Sequence, residues 1–404
     1  MHACILGAGI VGLATAYELQ RKGWRITLID AQTQAGMGAS AGNGAQLSYA
    51  YVQPLADPAI YGQLPKLFCA TDSPLKFRLK LDPHQWQWGL SFLAACNAQR
   101  SHRTTAELLT LAASSRAGYD SMLANTGIAC DFAQAGKLVL LPDTTAMQSA
   151  QRQIDLQASL GAPAQSLLDA DAAIAHESAL AGYRHQFAGA VYTASECVAD
   201  CLSVCQGLVT HLQAGGAQWL PATQVRALLA EGGRIKAVRT SQGDIEADLF
   251  VSALGWQTPA LVAPLGIRLP IYPLKGYSIT VPVAAGSTAP LVSVTDSKRK
   301  VVFARLGDRV RVAGMVELVG NDTRLDPSRI DSLRHSTRAV FPGLAFADGD
   351  DLQPWTGMRP ATPTGLPITE RAAGHPNLWI NSGHGALGFT LAFGSALRIV
   401  QSLE

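Results

Sequence analysis

The stretch Ala3-Cys-Ile-Leu-Gly-Ala-Gly-Ile-Val-Gly12 places Gly7, Gly9 and Gly12 directly after a short apolar segment. The first glycine permits a tight turn, the second lets backbone approach a pyrophosphate, and the third lets a helix pack close to the strand. The N–H groups at the start of that helix would face the phosphates. Asp30 ends the next strand-like run, where a carboxylate can bind a ribose hydroxyl and disfavours a 2′-phosphate. The pattern predicts a βαβ unit that binds an adenine dinucleotide.

Composition narrows the class of protein. A chain of 404 residues exceeds the usual size of one hydrophobic core, so two domains are expected. A net charge of +2 without a basic stripe argues against nucleic-acid binding. The seven cysteines are scattered and odd in number, which is typical of reduced thiols in a cytoplasmic protein. Cys197, Cys201 and Cys205 would share one helix face, but no fourth ligand lies nearby, so we expect no metal site.

The apolar N-terminus lacks a basic n-region, and no run of about 18 apolar residues occurs. We therefore expect neither a signal peptide nor a membrane-spanning helix, and a cytoplasmic location. Trp86, Trp88, Leu90 and Leu93 form an apolar stripe on a predicted helix, His84–Arg100. The stripe either packs against a neighbouring domain, which we favour, or touches the inner face of the cytoplasmic membrane as a peripheral contact.

A strand, a glycine turn and a helix occur at both ends of the chain, the second time from Asn377 through Gly383–Gly388 to about Ser402. Between them run short strands, among them Gln218–Pro221 and Gln224–Leu229, expected to be a strand pair. We predict a mixed α/β (α+β) fold with a Rossmann-like domain, discontinuous in sequence, and an inserted antiparallel-sheet domain. The expected dinucleotide domain is 1–50, 186–265 and 352–404; the expected substrate domain is 51–185 and 266–351.

Four segments resemble the D-amino-acid oxidase-like flavoprotein superfamily, and within it the D-amino-acid dehydrogenase small-subunit family. They are Tyr272-Pro-Leu-Lys-Gly-Tyr-Ser278, Val312-Ala-Gly-Met-Val-Glu317, Trp355-Thr-Gly-Met-Arg-Pro360 and Asn377-Leu-Trp-Ile-Asn-Ser-Gly-His-Gly-Ala-Leu-Gly388. The resemblance covers nearly the whole chain and implies FAD, not NAD. It also implies oxidative deamination of D-amino acids to 2-oxo acids and ammonia by hydride transfer to flavin N5, with electrons passed to a quinone or other acceptor.

Roles for single residues follow from the resemblance, in the case of Arg359, and from position in the predicted elements, in the case of the others. Arg359 matches the arginine that clamps the substrate carboxylate, a group that a guanidinium fork fits with two parallel hydrogen bonds. Tyr277 would share the carboxylate or line the pocket, and otherwise is a half-buried strand tyrosine. His384 would be a hydrogen-bonding neighbour of the flavin ring. The helix that begins near Leu387 would stabilise negative charge on the reduced flavin through its N-terminus.

The residues expected to hold the cofactor lie in several short segments. They are Gly7, Gly9, Ile10, Val11, Gly12 and Asp30; Ser40, Asn43, Gly44, Ala45 and Gln46; Val225; Ala253, Gly255 and Trp256; and Gly383, His384, Gly385, Leu387 and Gly388. The loop of the second group departs from the family pattern, which usually reads Asn-Ala-Gly-Gln where this chain reads Asn43-Gly44-Ala45-Gln46.

Two other functions stay open at this point. One is an oxidase or dehydrogenase of a secondary amine or imino acid, such as proline, sarcosine or glycine. The other is a flavin-bound subunit without chemistry of its own, against which the intact Arg359 and Gly383–Gly388 motifs argue. The sequence does not indicate the side-chain preference, the physiological acceptor or the oligomeric state.

Overall fold

The computed structural model describes residues 1–58, 60–61, 75–78, 80–346 and 352–404. The strands, in chain order, are β1 (His2–Leu6), β2 (Arg25–Ile29), β3 (Gln46–Leu47), β4 (Leu75–Phe77), β5 (Lys137–Leu141), β6 (Ser166–Asp169), β7 (Gly189–Thr193), β8 (Cys197–Val198), β9 (Gln218–Leu220), β10 (Val225–Glu231), β11 (Arg234–Thr240), β12 (Gly243–Glu246), β13 (Leu249–Ser252), β14 (Tyr272–Pro282), β15 (Ser293–Asp296), β16 (Val301–Leu306), β17 (Arg309–Leu318), β18 (Trp355–Ala361), β19 (Ile368–Arg371) and β20 (Leu378–Ser382). The helices are α1 (Ile10–Arg21), α2 (Pro83–Ala95), α3 (Ala98–Thr126), α4 (Thr144–Ser159), α5 (Ala170–His176), α6 (Cys201–Ala214), α7 (Thr258–Val262), α8 (Pro327–Val340) and α9 (Gly388–Gln401).

A six-stranded central sheet runs in the order β19-β20-β13-β1-β2-β9. All its neighbours pair in parallel except β19, which is antiparallel to β20. Side chains alternate between the two faces of each strand. On β1, Ala3 and Ile5 face a core formed with α1, α3, α6 and α9, whereas Cys4 and Leu6 face a second core beneath β10 and β11. The central sheet is therefore buried on both faces, as the βαβ prediction requires.

A larger mixed sheet runs in the order β18-β14-β17-β16-β15-β5-β7-β6, with β4 beside β17. Most of its pairs are antiparallel, whereas β5 with β15 and β4 with β17 are parallel. Helix α8 covers one face through Ile330, Leu333 and Val340. Parallel and antiparallel sheets thus occur in one chain, and the predicted mixed α/β fold is confirmed.

Sheet membership divides the chain differently from the expected domain boundaries. β7 lies in 186–265 and β18 in 352–404, yet both belong to the large sheet. Helix α3 lies in 51–185, yet Leu108, Ala112 and Tyr119 pack in the core of the central sheet. Residues 59, 62–74, 79 and 347–351, assigned to the substrate domain, lie outside the described residues. We propose to place β7 and β18 in the substrate domain and α3 in the cofactor domain.

Two predicted local structures are wrong. Gln218–Pro221 and Gln224–Leu229 are not a strand pair, since β9 joins the central sheet beside β2 whereas β10 pairs with β11 in a small separate sheet. The predicted helix His84–Arg100 is interrupted, because Asn97 caps a new helix by accepting the Arg100 N–H at 3.0 Å.

The cysteine prediction also needs a correction. Cys197 lies on β8, whereas Cys201 and Cys205 lie on α6, so the three do not share one helix face. All three are buried. They behave as small apolar residues in the core around α6.

The apolar stripe on α2 divides between two environments. Trp88 is buried, stacks on Phe92 and donates its Nε1–H to the Ala361 carbonyl at 2.8 Å. Trp86 and Leu90 are 49% and 67% exposed. None of the described helices is long and apolar enough to cross a membrane. Peripheral membrane contact stays a prediction, and it now concerns Trp86 and Leu90 alone.

Candidate active site

Three glycine-containing turns follow the parallel strands of the central sheet and meet at its carboxyl edge. They follow β1 at Gly7, β13 at Gly255 and β20 at Gly383. Hydrogen bonds join them: the Ala253 N–H donates to the Leu6 carbonyl at 2.8 Å, and the Ser382 hydroxyl donates to the Gly255 carbonyl at 2.9 Å. Ligands of open parallel sheets bind in the crevice outside this edge. The predicted cofactor segments are therefore brought together.

The turn after β1 has the shape that a pyrophosphate requires. Gly7 has φ +106°, and a Cβ there would lie 2.6 Å from the Ala253 carbonyl oxygen. A Cβ on Gly12 would lie 1.9 Å from the Gly7 oxygen, so only glycine allows α1 to approach the strand this closely. Gly9 caps α1 without a side-chain hydrogen bond, while the Ile10 N–H donates to the Ser40 hydroxyl at 3.1 Å. The residues present fit a dinucleotide.

Asp30 lies beside this turn, at the end of β2. Its carboxylate accepts the Ala8 N–H at 2.7 Å and the Gln32 N–H at 2.9 Å. A carboxylate has about four lone-pair sites, so capacity for ribose hydroxyls is left. The Thr223 N–H donates to the Asp30 carbonyl at 2.8 Å and brings the start of β10, with Val225, to the same end of the fold.

The loop that follows Ser40 crosses one face of the large sheet. Arg311 on β17 is buried and donates Nη1–H bonds to the carbonyls of Ala41 at 3.1 Å and Asn43 at 2.9 Å. The same guanidinium donates from Nε to Thr280 at 2.9 Å. Burial lowers the pKa of Arg311, which nevertheless remains a cation at neutral pH. This arginine therefore anchors the loop to the substrate-domain sheet.

A buried lysine holds the far end of the same loop. Lys137 on β5 donates from Nζ to the Gln46 side-chain oxygen at 3.0 Å and to the Ser48 hydroxyl at 2.8 Å. Burial lowers its pKa to about 8. Glu196 accepts the N–H groups of the three residues after Ser48 at 2.6–3.1 Å. Sequence reasoning missed Lys137, which begins the apolar strand β5, and Arg311, which lies between valines on β17.

The departure of this loop from the family pattern has a conformational counterpart. Ala45 has φ +60°, the left-handed region that favours glycine, and its N–H donates to the Asn43 side-chain oxygen at 2.8 Å. Gly44 instead lies against β16, where a Cβ would be 3.0 Å from a Val302 methyl. At position 45, where the family has glycine, this chain therefore has an alanine in the left-handed conformation that glycine adopts most easily.

Arg359 is a partly buried cation on β18. Its Nη1 donates to the Met315 carbonyl at 2.7 Å, and its side chain crosses Gly276, where a Cβ would lie 2.3 Å from the arginine Cζ. Among the residues that the structure describes, no carboxylate oxygen lies within 4.0 Å of this guanidinium. Burial lowers its pKa to about 10, so it stays charged at neutral pH. Buried charges in proteins are usually paired, and this guanidinium has no carboxylate partner among the described residues.

The turn after β20 adjoins the strand of Arg359. His384 forms an isolated antiparallel bridge with Ala361, two residues beyond Arg359. The His384 Nε2 lies 3.1 Å from the Ser395 hydroxyl, and burial lowers the pKa of the imidazole to about 3. Because Ser395 donates its own proton to the Ala392 carbonyl, Nε2 is assigned as the protonated nitrogen. His384 is thus neutral and held in one orientation.

The remaining predicted residues surround this turn. Trp256 lies in a short 3-10 helix, Gly255–Gln257, and Gly385–Leu387 form another directly before Gly388 begins α9. Leu387 caps α9 without a side-chain hydrogen bond. The Ser48 N–H donates to Thr390 Oγ1 at 3.2 Å, so the loop held by Lys137 reaches the first turn of α9.

The structure does not bring the Tyr277 hydroxyl to Arg359. Tyr277 is buried and donates to the Glu317 carboxylate at 2.8 Å. Arg359 crosses Gly276, and consecutive strand residues point to opposite faces, so Tyr277 lies on the other face of β14. Burial, with a smaller contribution from Glu317, raises the pKa of its hydroxyl.

Comparisons with known proteins agree with this arrangement. The family model described as "DAO: FAD dependent oxidoreductase" matches residues 2–402. The chain is 47% identical over 409 residues to D-amino acid dehydrogenase 2 of Ralstonia nicotianae, covering 98% of this chain and 95% of that protein. It is 42% identical over 404 residues to D-amino acid dehydrogenase 2 of Pseudomonas aeruginosa, covering 100% and 94%.

Two solved structures share the fold at low sequence identity. L-proline dehydrogenase from P. horikoshii has a TM-score of 0.76 at 18% identity, covering 100% of this chain and 92% of that chain. Glycine oxidase from Geobacillus kaustophilus has a TM-score of 0.76 at 20% identity, covering 99% and 93%. Since both identities are so low, these likenesses show the fold alone.

Proposed function

Because the chain belongs to the DAO family of FAD-dependent oxidoreductases, we propose that it oxidises D-amino acids to 2-oxo acids and ammonia and passes the electrons to a quinone-type acceptor. The observation that carries the proposal is Arg359, a cation without a carboxylate partner among the described residues, on a strand bridged to the glycine turn at His384. The preference for D-amino acids rests on the names of the curated relatives.

The residues that would hold FAD are those of the three turns, Asp30 and the loop fixed by Arg311 and Lys137. When bound, FAD supplies the acceptor for the hydride that leaves the substrate Cα. The α1 N-terminus would receive the pyrophosphate. The α9 N-terminus, capped by Leu387 without a side-chain bond, would place its N–H groups where negative charge develops.

In the proposed reaction Arg359 binds the substrate carboxylate through two N–H bonds and thereby fixes the direction of the Cα–H bond. The Met315 carbonyl holds the guanidinium while it does so. The substrate amine is neutral when the hydride leaves, so its lone pair forms the C=N bond of an imino acid. Water then adds to that carbon and releases ammonia and the 2-oxo acid. His384, neutral and bonded to Ser395, keeps its proton throughout.

Anaerobic mixing of the holoprotein with a panel of D- and L-amino acids, proline, sarcosine and glycine tests this proposal. We expect D-amino acids to bleach the flavin absorbance and to yield a 2-oxo acid and ammonia. Bleaching by secondary amines alone would make the protein a secondary-amine dehydrogenase or oxidase. Bleaching by none would leave a flavin-bound subunit without chemistry. Reoxidation of the reduced protein with quinone analogues and with oxygen, compared for rate, tests the acceptor.

A further inference from the structure

A buried polar network lies on the large sheet but takes no part in the proposed reaction. The Tyr277 hydroxyl donates to one oxygen of Glu317 at 2.8 Å, and Arg329 Nε donates to the other at 2.7 Å. The three residues are 1%, 3% and 5% exposed. Glu317 therefore ties together β17, β14 and helix α8. Two of the motifs most specific to the family, around Tyr277 and around Glu317, supply this network.

The network encloses a β-bulge between β14 and β17. Tyr277 pairs with Gly314 and Lys275 pairs with Glu317, so two residues of β17 oppose Gly276 alone. The first of the two, Met315, has φ +63°, a left-handed conformation that is unfavourable for a methionine and persists only where its surroundings impose it. The bond from Tyr277 to Glu317 joins residues on either side of the bulge.

The carbonyl of the bulged residue is the group that holds Arg359. Met315 O accepts the Arg359 Nη1–H at 2.7 Å, on the face of β14 where Arg359 crosses Gly276. Tyr277 lies on the opposite face by strand alternation. The network and the arginine therefore lie on opposite sides of one bulge, and the backbone at Met315 connects them.

We propose that Tyr277, Glu317 and Arg329 are positioning residues, which govern substrate affinity by fixing the bulge whose carbonyl orients Arg359. The inference rests on the proposed function, because it takes Arg359 as the carboxylate clamp. A guanidinium recognises a carboxylate by direction as well as by charge. A bulge that relaxes would turn the Met315 carbonyl and misalign the fork, although the positive charge would remain.

Tyr277→Phe tests the proposal, since it removes the hydroxyl and keeps the buried ring. Tyr183→Phe is a matched control: its hydroxyl donates to Asp296, the last residue of β15, at 2.9 Å and accepts from Arg299 at 3.1 Å, so it too is a buried tyrosine bonded to a carboxylate and an arginine. The probe is propionate, an alanine analogue without the amine, titrated into each holoprotein by its effect on the flavin absorbance. Propionamide, which has no charge, serves as the second ligand.

We expect Tyr277→Phe to weaken propionate binding about 3- to 10-fold, as the loss of one hydrogen bond implies, and to raise KM for D-amino acids by a similar factor. Affinity for propionamide should stay near its native value, whereas kcat should fall by a smaller factor than KM rises, because a misaligned Arg359 also orients the Cα–H bond less well. Tyr183→Phe should change neither ligand's affinity.

Propionate affinity in Tyr277→Phe equal to that in Tyr183→Phe would overturn the inference, as would a fall in kcat at unchanged KM. Arg359→Lys, titrated in parallel, separates this failure from that of the proposed function. If Arg359→Lys binds propionate at native affinity, the assignment of Arg359 as the residue that binds the substrate carboxylate is wrong. If Tyr277→Phe does not fold with FAD, Arg329→Lys takes its place. This variant keeps the positive charge beside Glu317, and the same change in propionate affinity is expected for it.

Discussion

Replacing Arg359 by lysine keeps the positive charge and removes the planar fork. In the native protein Nη1 is engaged by the Met315 carbonyl at 2.7 Å, which leaves the remaining N–H groups of the guanidinium for a carboxylate. An ammonium group has three donors on a single atom and cannot make two parallel bonds while it also reaches Met315. Arg359→Lys should therefore bind the substrate carboxylate through one bond.

The size of the effect follows from that lost bond. A hydrogen bond to a charged group contributes about 1.5–3 kcal/mol, so kcat/KM for D-amino acids should fall about 10- to 150-fold. Part of the loss should appear in the rate of anaerobic flavin reduction at saturating substrate, because the arginine also orients the Cα–H bond. Stopped-flow absorbance at the flavin band, over a range of substrate concentrations, measures both quantities.

The control is Arg305→Lys on β16, an arginine of the same sheet whose Nε donates to the Gly307 carbonyl at 3.0 Å in its own hairpin. In this variant the flavin should be reduced by D-amino acids at the native rate. The spectrum of Arg359→Lys should also match the native one, since the residue is expected to hold substrate and not cofactor. If Arg359→Lys reduces with native rate and affinity, the assignment of the clamp to Arg359 is refuted.

Three further predictions concern the cofactor segments. Asp30→Ala should weaken FAD binding by roughly 1.5–3 kcal/mol in reconstitution titrations. The control Asp248→Ala, which loses a hydrogen bond to the His2 backbone at the opposite end of β1, should retain FAD. Equal FAD affinity in the two variants would contradict a contact between Asp30 and the ribose. Ala45→Gly should change the free energy of unfolding by less than about 1 kcal/mol, because relief of the left-handed backbone is offset by the loss of a buried methyl group and by the greater chain entropy of glycine. Ala45→Val should lower Tm clearly, since a β-branched residue is strained in that conformation. Equal Tm values for the two variants would contradict this. Burial lowers the pKa of His384 to about 3, against 6.5 for the free side chain, so below pH 6.5 the unfolded chain binds a proton that the folded protein does not. The free energy of unfolding should therefore fall as the pH is lowered from 6.5 to 3. Thermal melts across this range should show a smaller fall for His384→Gln.

The cofactor edge was predictable from sequence because its signals are local. Gly12 is required by its contact with the Gly7 carbonyl inside one βαβ unit, Gly7 by its own φ of +106°, and Asp30 directly follows the second strand of that unit. Arg311 and Lys137 escaped prediction because their partners are carbonyl and hydroxyl groups of a loop far away in sequence. Their sequence signal is weak, because lysine and arginine are mostly exposed in proteins and a cation next to valines or leucines in a strand does not by itself indicate burial.

The placement of Tyr277 shows what strand periodicity cannot supply. In Tyr272–Ser278 every second residue shares a face, but the sequence does not say which face meets the substrate. The extra residue at Met315 shifts the register of β17 against β14 and turns a carbonyl toward Arg359. The sequence gives no signal for a bulge at Met315, because a left-handed position is usually occupied by glycine and not by methionine.

The same strands explain two glycines that sequence reasoning treated as parts of motifs. Gly276 and Gly357 face each other across β14 and β18. A Cβ on the first would meet the Arg359 guanidinium at 2.3 Å, and a Cβ on the second would meet the Trp355 ring at 2.2 Å. Glycine weakens a strand unless something must pass close to it. Here Gly276 leaves the room through which the arginine crosses its neighbouring strand and reaches the Met315 carbonyl, whereas Gly357 makes room for the Trp355 ring. The proposed clamp therefore requires the absence of a side chain at position 276 as well as the presence of Arg359.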